Sequence, residues 1–197
     1  MAELENTFRK AITALTNANV KYVIVGGLAA ILRGGSRNTS DIDVIIENEP
    51  NLGDKLIKAF KAQDFDVMES QLKMAIDEGF NTSIFIKDSI IRIDLKIAKN
   101  SDEYEVIKES ETWNFKDVHF PIASVEQILY GKILYLGDIK DLSDDELLDF
   151  NDVRDFLNVY QSAKSINMAW LKMKAKKKGL SETFNRILAK AKENFEK

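Results

Sequence analysis

Apolar residues recur along this chain with two periods, and the switches between them mark its elements. From Glu3 to Asn17 the apolar positions Phe8, Ile12 and Leu15 are separated by charged and polar residues at helical spacing, and Asn17-Ala18-Asn19 closes the run. Lys21 to Val25 is short and apolar, which predicts a strand; after the Gly26-Gly27 pair, Leu28 to Leu32 predicts one or two helical turns. Gly34-Gly35-Ser36 breaks that helix, and Ile42 to Ile46 forms a second strand. Pro50 suits the first turn of a helix running to about Gln63, with Leu52, Leu56, Ile57 and Phe60 on its buried face. Gln71 to Glu78 predicts a short helix closed by Gly79. Thr82 to Ile86 and Ile90 to Ala98 are strands joined as a hairpin through Asp88-Ser89, and Trp113 to Phe120 is one more extended segment, ended by Pro121.

The period changes at Ser124, and with it the expected architecture. Ser124 with Gln127 resembles a capping box opening a helix to about Leu136, and Ser143 with Glu146 opens a second to about Gln161. Met168 to Lys178 and Ser181 to Glu196 follow, with Gly179 between them. The fold expected is α+β: a mixed β-sheet with flanking helices over residues 1–122, then a C-terminal helical bundle over 123–197.

Composition narrows the chemistry by exclusion. The 197 residues suffice for one sizeable domain or a smaller one with a helical appendage, and 45% hydrophobic with 30% charged residues is ordinary for a soluble globular chain. With 28 basic against 32 acidic residues the net charge is -4, which argues against a surface that grips long nucleic acid throughout but leaves room for a local basic patch. No cysteine is present, so disulfides, thiolate catalysis, zinc ribbons and iron–sulfur clusters are excluded. The start, Met1-Ala2-Glu3-Leu4-Glu5-Asn6, is acidic and no apolar run approaches the roughly 20 residues that span a bilayer, so a cytoplasmic protein with no membrane partner is expected.

The candidate chemistry lies on the strands. Asp41 and Asp43, two apart in Asp41-Ile42-Asp43-Val44, project from one face while Ile42 and Val44 turn to the core. Like charges side by side in a half-buried sheet are unfavourable without a cation between them, and oxygen-only donors favour Mg²⁺, with Mn²⁺ as an alternative, over Zn²⁺. The alternative is an edge strand with solvated charges. Asp94 stands in a second apolar strand among Ile90, Ile91, Ile93, Leu95 and Ile97, with Arg92 and Lys96 on its own face as alternative partners. Gly26-Gly27 is either a tight turn or a strand-to-helix turn whose N–H groups cradle a triphosphate; no Rossmann or Walker A pattern surrounds it.

Apolar-Gly26-Gly27, about a dozen residues of spacer, Asp41-Ile42-Asp43 and a distant Asp94 between apolar residues together resemble the nucleotidyltransferase superfamily with the DNA polymerase β type fold. Arg37-Asn38-Thr39-Ser40-Asp41-Ile42-Asp43 is similar to the R-x-T-x-D-I-D form of AbiEii-like toxins and stand-alone nucleotidyltransferases. The resemblance implies transfer of a nucleoside monophosphate from an NTP to an acceptor with release of pyrophosphate. Asp41, Asp43 and Asp94 would be the catalytic carboxylates and ligands of two Mg²⁺ ions, with Asp94 also a candidate proton acceptor. It further implies a phosphate loop at Gly26, Gly27 and Ser36, although this chain has Gly-Gly where the family usually carries Gly-Ser. Arg37 is a candidate phosphate clamp by virtue of its planar fork. Lys132 and Asp152, on C-terminal helices, are similar to family positions that face the nucleotide, and the helical region would close the nucleotide cleft. Acceptors in such families include RNA or tRNA, small molecules such as aminoglycosides, and proteins, and AbiEii-like toxins have a separate antitoxin.

Bland readings stand beside these. Lys132 and Asp152 fit an exposed lysine and an acidic helix face equally well, and His119, the only histidine, reads as structural. Lys172, Lys174, Lys176, Lys177 and Lys178 either hold RNA phosphates or complement a helix C-terminus before Gly179. Met168, Trp170, Leu171 and Met173 form either a partner face or helix core. The rival function is a non-catalytic nucleotidyltransferase-like module that binds a nucleotide or a partner, and the complete carboxylate triad favours the enzyme.

Overall fold

The computed structural model describes residues 2–87 and 89–195, so Asp88 of the expected Asp88-Ser89 turn and Glu196, the expected end of the last helix, lie outside the described residues. The chain divides into two compact units, Met1–Leu28 with Thr39–Ala123, and Ala29–Asn38 with Ser124–Lys197. The expected boundary near residue 122 lies beside the second division. Ala29–Asn38, expected with the sheet, is grouped with the later helices.

The first unit is built on a mixed sheet of seven strands among the described residues: β1 Tyr22–Ile24, β2 Asp41–Ile46, β3 Phe65–Asp66, β4 Thr82–Ile86, β5 Arg92–Ile97, β6 Glu111–Phe115 and β7 Val118–Ile122. Their order is β3-β4-β5-β2-β1-β7-β6; β2 runs parallel to β5 and β1 to β7, and the other pairs are antiparallel. Helices α1 Ala2–Ala18, α3 Leu52–Lys61, α4 Glu69–Glu78 and α5 Ser101–Lys108 belong to this unit, while α2 Gly26–Leu32 starts in it and its residues from Ala29 on are counted with the other. The alternation read from the sequence is realised at the sheet centre. Ile42, Val44 and Ile46 of β2 are buried opposite Ile93, Leu95 and Ile97 of β5, and the intervening acids remain part-exposed. On α1, Phe8 meets the edge of Phe120 of β7 with ring centroids 4.8 Å apart, and α1 packs along α3.

Two expectations are corrected here. Trp113 to Phe120 is not one segment but the β6–β7 hairpin, turned at Lys116-Asp117 with Lys116 at φ 55°. Pro121 lies within β7, one residue before the β1 pairing at Ile24–Ile122, so its missing N–H interrupts no bond on that side. Helix α5 was not expected; it opens with a full capping box, in which Asn100 accepts from the Glu103 amide and the Glu103 carboxylate accepts from the Asn100 amide.

The second unit contains α6 Val125–Leu136, α7 Asp144–Leu147, α8 Asn151–Ser162, α9 Met168–Lys177 and α10 Ser181–Phe195. Leu129, Ile133, Val153, Phe156, Leu171 and Ile187 are buried in its core. Ser124 caps α6 by accepting the Gln127 amide at 3.3 Å. The single helix expected from Ser143 to Gln161 is two. Arg154 donates from Nε to the Leu148 carbonyl at 2.8 Å and from Nη2 to the Asp149 carbonyl at 2.7 Å, satisfying acceptors a continuing helix would have used. None of the described helices is long and apolar enough to cross a membrane.

Candidate active site

Parallel pairing of β2 and β5 sets Asp41 beside Arg92 and Asp43 beside Asp94, and β4 adds Ser83 beside Asp94. Strand alternation sends these side chains to one face. Each acid is anchored by a short-range partner. The Ser83 hydroxyl donates to Asp94 Oδ1 at 2.5 Å, the Ser40 hydroxyl donates to Asp41 Oδ1 at 3.0 Å, and the Gly27 amide donates to Asp43 Oδ2 at 3.3 Å. The last contact explains Gly26. Its φ is +65°, and a Cβ there would lie 2.0 Å from Asp43 Oδ2, so only a residue without a side chain lets the carboxylate reach the turn. The Gly26-Gly27 turn therefore brings an amide to a carboxylate of the sheet.

Arg92 takes part in the same cluster. Its Nη2 lies 3.2 Å from Asp41 Oδ1 and its Nε 3.0 Å from both oxygens of Asp94. The hydrogen bond to Asp94 holds the guanidinium more firmly protonated than usual, with the charges of Asp41 and Asp43 adding to it. Lys96, the other basic residue on this face, turns instead to Glu103 at 2.7 Å. The Arg92, Asp41 and Asp94 side chains are 39%, 33% and 29% exposed, so an ion or a phosphate can reach them from solvent.

Oxygen donors on adjacent strands are of the kind a hard divalent cation takes. Among the described residues, however, no group of three or more His, Cys, Asp or Glu side chains already forms a metal cage. The guanidinium of Arg92 bridges Asp41 and Asp94. The donor set fits Mg²⁺ or Mn²⁺ chemically, provided that guanidinium gives way.

A second charged cluster forms within the helical unit and unites residues far apart in sequence. Lys132 is almost wholly buried; its Nζ donates to Asp152 Oδ1 at 2.8 Å and to Asp155 Oδ2 at 2.6 Å. The carboxylate of Asp155, itself buried, also accepts from Arg37 Nε at 3.1 Å to each oxygen. Ser36 accepts from the Asn158 side chain at 3.3 Å, and Ser36, Arg37, Arg154 and Asn158 line a cavity of about 490 Å³. Lys132 and Asp152, both expected at a nucleotide, are thus each other's partners. Asp155 escaped the sequence reading although it follows Asp152 at i+3, the spacing that puts both on one helix face. Arg92 pairs with Asp94 on its own strand, as their shared face allowed, whereas its reach to Asp41 and the place of Ser83 beside Asp94 depend on strand register.

Outside these clusters, His119 pairs through Nδ1 with Asn114 across the β6–β7 hairpin. Lys174 of the lysine-rich stretch is buried, with its Nζ 5.2 Å from the Trp170 ring centroid and 5.7 Å from that of Tyr130. Leu171 is buried and Met173 exposed.

A family model described as a nucleotidyltransferase of unknown function, DUF6036, matches residues 2–190. Among solved structures, the antibiotic-resistance factor ANT(2'')-Ia is similar over 98% of this chain and 98% of its own, with 16% identity and a TM-score of 0.53. An antigenic nucleotidyltransferase-like protein from Paracoccidioides brasiliensis is similar over 91% of this chain and 92% of its own, with 18% identity and a TM-score of 0.54. No curated protein matches the sequence.

Proposed function

Since the chain belongs to the DUF6036 family of nucleotidyltransferases, we propose that it transfers a nucleoside monophosphate from an NTP to an acceptor hydroxyl in the cytoplasm, with Asp41, Asp43 and Asp94 as its acidic centre. The observation that supports this most is the register setting Asp43 beside Asp94 on a solvent-accessible face. In the reaction the acceptor oxygen bonds to the α-phosphorus and the bond from that phosphorus to pyrophosphate breaks. Asp94 takes the acceptor's proton on Oδ2, the oxygen Ser83 does not hold, once the Arg92 guanidinium that bonds both of its oxygens has moved away. Asp43, held by the Gly27 amide, and Asp41, held by Ser40, are the positioned metal ligands together with Asp94. Mg²⁺ or Mn²⁺, held by these three carboxylates, would supply positive charge toward the triphosphate and lower the pKa of the attacking hydroxyl.

Ser36 and Arg37 are proposed polar and phosphate contacts, supported by the cavity they line. Lys132 and Asp152 are proposed to serve the nucleotide through the network that orders Arg37 rather than by free charges, because Lys132 is buried and already paired. RNA or tRNA, a small molecule and a protein are the proposed acceptor classes, and the Arg37 to Asp43 motif supports a toxin component with a cognate antitoxin as one setting. The rival reading, a non-catalytic nucleotide- or partner-binding module, has one observation in its favour: Arg92 bridges two of the three carboxylates.

One experiment separates these readings. Purified protein is incubated with each α-labelled NTP, Mg²⁺ or Mn²⁺ and pooled cellular RNA, beside the Asp41→Asn, Asp43→Asn double variant. Label in RNA that depends on both aspartates establishes transfer and the acceptor class. Metal-dependent NTP binding without RNA labelling redirects the search to small-molecule or protein acceptors, and absence of such binding favours the module.

A further inference from the structure

Arg92 differs from the other partners of the acidic centre in what it contributes. Ser83, Ser40 and the Gly27 amide each give a carboxylate one neutral hydrogen bond. Arg92 brings a full positive charge and spans two strands, reaching Asp41 through Nη2 and Asp94 through Nε. It occupies Oδ1 of Asp41 and both oxygens of Asp94, so a divalent ion approaching these two carboxylates meets the guanidinium there. A guanidinium and a divalent cation within about 4 Å repel each other strongly, so one must leave for the other to bind. Arg92 is the group able to leave, because its side chain is long and 39% exposed.

We propose that Arg92 is a resident counter-cation of the acidic centre, competing with the divalent ion for Asp41 and Asp94, so that metal loads only by displacing its guanidinium. This rests on the reading of the three carboxylates as a metal centre. It accounts for how like charges stand side by side on β2 and β5 before a metal enters, and it turns the observation that favours the non-catalytic module into a feature of the enzyme.

The test is Mn²⁺ titration, without nucleotide, followed by the electron paramagnetic resonance of free Mn²⁺ for the parent, Arg92→Gln, Arg92→Lys and Asp43→Asn, with thermal melting of each. Arg92→Gln is expected to bind Mn²⁺ on the order of tenfold more tightly than the parent, the scale on which one adjacent charge shifts a site. Arg92→Lys, keeping the charge, should stay near the parent, and Mn²⁺ should raise the melting temperature of Arg92→Gln more than that of the parent. Unchanged or weaker binding by a folded Arg92→Gln overturns the competition, while parental binding that Asp43→Asn abolishes keeps the metal centre. No binding by parent or Arg92→Gln overturns both. The parent supplies a measurement that needs no variant: the Arg92 Nε–H resonance should be protected from exchange without metal and lose that protection on adding Mg²⁺. Retained protection alongside Asp43-dependent Mg²⁺ binding overturns the proposal even if Arg92→Gln does not fold.

Discussion

Single atoms decide the acidic centre. At Gly26 a methyl group would sit 2.0 Å from Asp43 Oδ2 on a backbone with φ +65°. Gly26→Ala is therefore expected to cost about 1–3 kcal/mol in urea denaturation and to weaken Mn²⁺ binding at least tenfold by pushing the carboxylate aside. Asp43→Asn keeps the shape and removes a charge, so metal-dependent nucleotide binding should disappear while the melting temperature holds or rises; nucleotide titration with and without Mg²⁺ checks this. Tyr22 gives a pH signature unrelated to the site. Burial in β1 raises its pKa, partly opposed by a hydrogen bond with Thr16. The folded state thus favours the neutral phenol, a contribution fully present below the ordinary tyrosine value of about 10 and lost as pH rises through the higher folded value. Melting curves taken between about pH 8 and pH 11 should show a loss of stability at the alkaline end that is smaller in Tyr22→Phe.

Elements were legible where their signal is local. The β2 and β5 alternation, the helix opened by Ser124 and the short helix closed by Gly79 all follow from residue type at fixed spacing. The departures from that pattern have separate physical causes. The helix predicted from Ser143 ends after one turn because Arg154 reaches back to the Leu148 and Asp149 carbonyls. Trp113 to Phe120 folds back on itself because Lys116 adopts φ 55°, a conformation a lysine does not advertise. Helix α5 was missed although Asn100 and Glu103 carry its capping box. Asn100→Ala should cost about 1 kcal/mol in chemical denaturation, the usual loss on removing such a cap.

Across the whole molecule the two units each keep a charged cluster over an apolar core. In the helical unit Asp155 is the shared acceptor of Lys132 and Arg37 and is 1% exposed. Asp155→Ala leaves the buried Lys132 ammonium with Asp152 alone and should destabilise by about 3–5 kcal/mol, whereas Asp152→Ala, at a side chain 22% exposed, should cost clearly less; urea denaturation of both orders them. Family membership and the fold agree at this scale with what Gly26-Gly27, Asp41-Ile42-Asp43 and Asp94 suggested. By itself the sequence determined which residues could share a face, where most strands and helices lie, and that the donors are oxygens, because each depends on side-chain chemistry and a period of two or 3.6 residues. Only the tertiary structure decided that Asp43 stands beside Asp94, that Arg92 bridges Asp41 and Asp94, and that Lys132 is buried against Asp155. Those pairings depend on strand register and helix packing between distant segments, which no local period encodes.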